Sequence, residues 1–194
     1  NQLTAVKRLP LADLEIARPL EMLREPVLGY LMELLTGMQP LSTLCNPLKA
    51  TTSVAAWYFQ TGGLRRRLAL LARTADVLSA LHGKGLVYSD PSPHNIFVSE
   101  ASDATEVRFI DSDNIHYVSS AGLPTVFTPG YGAPELIRST SGVNSLTDAH
   151  AFAVLTFQTL SLVHPLIGDA VANGPPEHEE EAFAGAMPWV DDPG

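Results

Sequence analysis

The sequence predicts an α+β domain, mainly α-helical, with a few short strands set between two long helices. Three observations carry this. From Gly63 to His82, apolar residues recur at steps of three and four (Leu64, Leu68, Leu71, Ala75, Leu78, Leu81), the spacing of a helix with one face on a core. From Asp148 to Leu162 the chain is apolar nearly all round, as in a helix buried inside a lobe. Between them, the short runs Asn95 to Val98 and Glu106 to Ile110 flank a polar stretch, Ser99 to Thr105, the pattern of a β-hairpin.

The remaining segments are punctuated by turn residues. Residues 1–26 carry several prolines and have no clear period. Val27 to Met32 reads as a buried strand, and Gly37 and Pro40 then lead it into a connector. Residues 41–62 hold short helical pieces around Trp57, Tyr58 and Phe59. Gly83 and Gly85 stop the long helix. Residues 111–134 read as loop, rich in Gly and Pro. The cluster Arg65, Arg66 and Arg67 reads as a solvated helix start, with partner docking as the second reading.

Composition narrows the class. With 194 residues the chain can bury one ordinary core. It is 45% hydrophobic and 17% charged, which suits a globular, soluble protein rather than a disordered one. A net charge of -9 argues against a nucleic-acid-binding surface, which needs a basic field. No apolar run is long enough for a membrane span, and no signal peptide is visible. Cys45 is the single cysteine, so an internal disulfide is impossible and a reducing, cytoplasmic setting is expected.

The chemistry is concentrated in two short segments. Asp90 and Asn95 lie five apart in Tyr88-Ser89-Asp90-Pro91-Ser92-Pro93-His94-Asn95, between the long helix and the first hairpin strand. Asp111, in Phe109-Ile110-Asp111-Ser112-Asp113, ends the second strand. Phosphoryl transfer needs such a set. One carboxylate orients the attacking hydroxyl, and an oxygen-rich pair holds Mg²⁺ against the phosphates.

Asp90-x₄-Asn95 resembles the protein-kinase catalytic loop, and Asp111-Ser112-Asp113 resembles the metal-binding Asp-Phe-Gly turn. Thr128-Pro129-Gly130-Tyr131-Gly132-Ala133-Pro134-Glu135 is similar to the end of a kinase activation segment. Asp148 matches the Asp that anchors the catalytic loop from below, and Gly29 to Leu35 resembles the fifth strand and hinge. These motifs stand in kinase order and cover about residues 27–165. Together they resemble divergent bacterial eukaryotic-like Ser/Thr protein kinases. The resemblance implies a protein-kinase-like fold, with residues 1–35 a remnant of the N-terminal lobe and hinge, and 36–194 an incomplete C-terminal lobe.

It also implies roles. Asp90 would be the catalytic base, and Thr128 would shape the acceptor site beside it. Asn95 and Asp111 would hold Mg²⁺. Met32 would be the gatekeeper, and the backbones of Glu33 and Leu35 would bind the adenine edge of ATP. Phe97, or Ile96 beside it, would pack under the purine, with Ile110 at the pocket floor. The partners implied are a protein substrate and a possible regulatory domain outside this chain.

The departures are specific. The usual His-Arg before the catalytic Asp is Tyr88-Ser89, the usual Lys is Ser92, and the Phe-Gly of the metal turn is Ser112-Asp113. Without that Arg, activity is expected not to depend on phosphorylation at Ser119, Ser120 or Thr125. No Gly-x-Gly-x-x-Gly loop precedes the hinge segment, and only 24 residues separate Lys7 from Met32. Residues 1–15 are therefore expected to follow a missing helix, rather than Lys7 being the ATP lysine, and the chain alone is expected to bind ATP poorly. A calcium loop at Asp111 is disfavoured, because His116 and Gly122 stand where Gly and Glu are needed. Ser89 and Ser92 lack the surroundings of a nucleophile elbow. His150 and His164 read as satisfied core or cap residues. Two other functions stand beside Ser/Thr protein phosphorylation: a catalytically impaired scaffold, and a small-molecule kinase of the aminoglycoside or choline type.

Overall fold

The computed structural model describes residues 2–24, 26–27, 29–47, 53–118 and 126–190. Ser119, Ser120 and Thr125 lie outside them. A short helix, α1 (Gln2–Val6), opens the chain. Two-residue strands β1 (Glu21–Met22) and β2 (Tyr30–Leu31) pair antiparallel. β3 (Met38–Pro40) follows the connector, then the short helices α2 (Ser42–Cys45) and α3 (Val54–Gln60). The long helix α4 spans Gly63–Gly83. Gly85, at φ 72°, turns the chain into β4 (Leu86–Val87). The hairpin β5 (Ile96–Ser99) and β6 (Val107–Phe109) leads through a 3₁₀ turn (Ser112–Asn114) to β7 (His116–Tyr117). Helices α5 (Pro134–Ile137), α6 (Ser145–Ser161), α7 (Asp169–Ala172) and α8 (Glu177–Phe183) complete the described chain. Among the described residues no helix is long and apolar enough to cross a membrane.

The arrangement is mixed, with small sheets and several helices, and is compatible with the kinase-like lobe that the motifs imply. β3, β5 and β6 form one antiparallel sheet, with Ile96 opposite Phe109 and Val98 opposite Val107. β4 pairs with β7. Residues 15–17 run parallel beside β6: Phe109 N–H donates to Glu15 O (2.8 Å) and Ala17 N–H to Phe109 O (2.7 Å). The N-terminal segment is thereby stitched to the strand that leads into Asp111.

One core holds these parts together. Leu70, Leu71, Val77, Leu78 and Leu81 of α4 meet Ala151, Val154 and Leu155 of α6, with Ile96, Val98 and Phe109 of the sheet. The buried face of α4 is rotated from the expected stripe. Leu64 and Leu68 are about half exposed, at 53% and 49%, while Arg66 and Arg67 are buried. The cause is what the first turns of α4 pack against. Arg66 donates to Ala104 O (2.9 Å), Thr61 O (3.0 Å) and Ser99 O, clamping the hairpin loop onto the helix. The Arg67 guanidinium stacks 3.8 Å from the Tyr58 ring centroid and donates to Leu44 O and Thr61 Oγ1 (both 3.1 Å). The reading of this cluster as a solvated start is corrected: two of its three arginines are internal ties, held by carbonyls and aromatic faces, although the Arg67 Nε is buried without a partner among the described residues. Gly62 makes room for this. At φ 96°, a Cβ there would fall 2.4 Å from Arg66 Cδ and 2.5 Å from Ser102 O.

Two further expectations change. Val27 to Met32 is not a buried strand: only Tyr30 and Leu31 pair, and Val27, Leu31 and Met32 are exposed. A two-stranded ribbon of this length offers its apolar side chains no facing layer. The second long helix begins three residues before Asp148. Asn144 caps it, its Oδ1 accepting from Leu146 N (2.8 Å) and Thr147 N (3.3 Å), while Thr147 Oγ1 accepts from Asn144 N (3.0 Å). Its burial is one-sided, with Leu146 exposed and Asp148, Ala151, Leu155 and Thr159 inside. Cys45 is fully buried, its Sγ 3.5 Å from Thr159 Oγ1, and burial raises the thiol pKa.

Candidate active site

Asp148 organises the loop from beneath. It is fully buried, and its carboxylate accepts from Tyr88 N (2.8 Å) and Ser89 N (2.9 Å), with His82 Nε2 2.9 Å away. These bonds hold Ser89 at φ 81°, a left-handed conformation costly for a residue with a Cβ. Sequence reasoning found Asp148 and missed His82. Its signal is its place in the last turn of α4, just before the loop.

Asp90 then stands at the rim, 8% exposed. Asn95 Nδ2 donates to Asp90 Oδ2 (2.9 Å) and to Asp90 O (3.1 Å). Thr128 donates twice, from its backbone N to Oδ1 (2.7 Å) and from Oγ1 to Oδ2 (2.9 Å). An ionised carboxylate has about four acceptor positions. Three are filled among the described residues, which leaves one on Oδ1. Thr128 reaches Asp90 because Phe127 lies flat on the backbone at Gly132, where a Cβ would sit 2.4 Å from the ring.

Asp111 follows β6, placed by Ile110 N–H donating to Asn95 O (2.9 Å). Its φ is 54°, again left-handed. Asp111 is exposed overall. Partial desolvation of its carboxyl, then Asp113 and Asp90, push its pKa up to about 6. A carboxyl raised by its acidic neighbours in this way is short of positive charge, and oxygen donors suit a hard divalent cation. The side-chain oxygens of Asn95 and Asp111 are therefore of the kind that suits a hard cation such as Mg²⁺. Among the described residues no group of three or more His, Cys, Asp or Glu is placed to hold a metal ion by itself.

Tyr88 and Ser89 join the two segments. The Tyr88 hydroxyl donates to Ile110 O and lies 3.4 Å from Asn95 O, while its ring meets Phe109 edge-on at 4.9 Å. Burial, then the nearby carboxylates, raise the phenol pKa well above its usual value, so it stays a donor. Ser89 Oγ donates to Asn114 O (3.1 Å). Ser92 is fully buried and its hydroxyl has no partner among the described residues. His94 is exposed and His164 is satisfied by Gly130 O (3.1 Å). His150 Nε2, by contrast, is buried without a partner among the described residues, so that histidine is not the satisfied one expected.

Hydrogen bonds thus bring Asp90, Asn95 and Thr128 together, and Asp111 joins them electrostatically. Met32, Glu33 and Leu35 lie in the extended connector between β2 and β3. The Glu33 carboxylate pairs with Arg108 (3.6 Å) and lines a cavity of about 240 Å³ with Leu11, Arg18, Leu20 and Arg108. Phe97 is half-buried on β5, opposite Pro40 and Arg108, and Ile110 is half-buried just past β6.

Comparison with known proteins points the same way. The chain is 31% identical over 125 residues to serine/threonine-protein kinase pkn2 of Myxococcus xanthus, a match covering 60% of this chain and 15% of that protein. It is 25% identical over 174 residues to serine/threonine-protein kinase dkf-2 of Caenorhabditis briggsae, covering 88% of this chain and 14% of that protein. It is 28% identical over 160 residues to the DNA damage-responsive serine/threonine-protein kinase RqkA of Deinococcus radiodurans, covering 78% and 22%. These similarities support a protein-kinase-like relationship. No protein-family model matches the chain. The chain spans less than a quarter of the length of each of these relatives.

Proposed function

We propose that the chain carries the base-and-metal part of a site that transfers the phosphoryl group of ATP to Ser or Thr of a protein substrate. One observation carries the reading: the Asp90 carboxylate is held by Asn95 and by both donors of Thr128, with one acceptor position left. A hydroxyl bonded at that position is oriented along the carboxylate and can give up its proton to it. Thr128 fixes the carboxylate from the acceptor side, and Asn95 fixes it from the metal side. Mg²⁺ held by Asn95 and Asp111 would neutralise charge on the phosphates. Met32, Glu33, Leu35, Phe97 and Ile110 are assigned to the nucleotide base, with residues 1–35 belonging to the upper lobe. A regulatory domain outside these residues is a further expected partner.

The test is transfer of labelled phosphate from ATP by the intact protein, offered protein substrates and small alcohols side by side. Label on Ser or Thr of protein is expected. Label only on an aminoglycoside or choline, or no label at all, overturns the reading. Asp111→Ala is expected to weaken Mg²⁺-dependent nucleotide binding by more than the ~10-fold that loss of an outer-shell partner costs. Calorimetry with and without Mg²⁺ checks this, and equal affinity for wild type and variant would remove Asp111 from the metal site.

A further inference from the structure

We propose that Tyr88 and Ser89 are positioning residues that latch the Asp111 turn from both sides and so set its distance from Asn95; this rests on the phosphotransfer reading above. Two consecutive side chains reach the two flanks of one turn. Tyr88 binds the carbonyl of Ile110, immediately before Asp111, and Ser89 binds the carbonyl of Asn114, three residues after it. Both donors come from a backbone fixed by Asp148, whose Oδ2 and Oδ1 hold their two amides at 2.8 and 2.9 Å. The turn is therefore tied to the same buried carboxylate as the loop that carries Asp90.

The geometry also explains why Tyr and Ser serve here. The phenol is long enough to cross from the loop to Ile110 O while its ring packs against Phe109. The short Ser hydroxyl reaches Asn114 O because its backbone is in the left-handed region. Ser112, at the middle of the latch, is itself buried, so no large side chain of the turn swings in or out. Asp111, with φ 54°, is held in a conformation that a free turn would seldom visit. An outer-shell bond that fixes a ligand's backbone is worth about 10–100-fold in metal affinity.

The test uses Tyr88→Phe, Ser89→Ala and the double variant of the intact protein. Two quantities are measured: Mn²⁺ affinity at saturating nucleotide, and amide exchange over residues 111–115. Each single variant is expected to lose roughly 10-fold in Mn²⁺ affinity and to exchange faster across the turn. The thermal unfolding midpoint separates this from a general loss of structure, because a purely packing role moves the midpoint and leaves the metal affinity alone. Unchanged exchange and unchanged Mn²⁺ affinity in the double variant overturn the latch. A wild-type protein that binds no Mn²⁺ with nucleotide overturns the phosphotransfer reading instead, while the exchange data still decide whether the latch exists.

Discussion

If Asp90 is the base of the proposed transfer, Asp90→Asn is expected to lower it by about 10²–10⁴-fold while nucleotide binding persists. The amide has no basic oxygen of carboxylate strength, so the acceptor hydroxyl is no longer relieved of its proton. It keeps one carbonyl oxygen, which can still receive Thr128 N or Asn95 Nδ2. Asp90→Ala is expected to abolish transfer too, but it is the less informative variant. It strips both Thr128 donors of their acceptor at once and leaves the Asn95 amide only the backbone carbonyl of residue 90. The pair is read by single-turnover transfer and by nucleotide affinity. Transfer by Asp90→Asn at the wild-type rate would show that the proton leaves by another route.

The largest effect on stability is expected at Asp148. Asp148→Ala leaves the Tyr88 and Ser89 amides buried without an acceptor and deprives His82 of its partner. Orphaned buried donors of this kind cost about 3–5 kcal/mol together. For a domain of this size that lowers the unfolding midpoint by roughly 10 °C. Release of Ser89 from its left-handed conformation returns part of the cost. Asp148→Asn keeps one accepting oxygen and should fall between. Calorimetric scans of wild type and both variants check the order, and an Ala variant as stable as wild type would mean the loop is held by something else.

Much of the site was legible because its residues announce themselves locally. Asp90 and Asn95 sit on one loop at a fixed spacing, Asp111 follows a strand that the hairpin pattern located, and Asp148 lies in the first turn of a helix. What sequence reading missed is satisfied at long range. Arg66 and Arg67 read as solvated because the carbonyls of Ser99, Ala104 and Leu44 that bury them lie 23 to 38 residues away. The α4 face shifted for the same reason. Val27 to Met32 looked buried because periodicity reports apolarity, not whether a second layer covers it. Tyr88 and Ser89 were read as departures from a pattern, and only their reach to Ile110 and Asn114 gives them a task.

Cys45 gives the molecule a built-in clock. It is the only sulfhydryl in the sequence, and it is sealed between α2 and α6 with its proton held on by burial. A thiol reagent can attack only when those helices part, so its rate reports how often α2 and α6 separate rather than the reactivity of the sulfur. The same reading can be taken with nucleotide present and absent, with no label introduced.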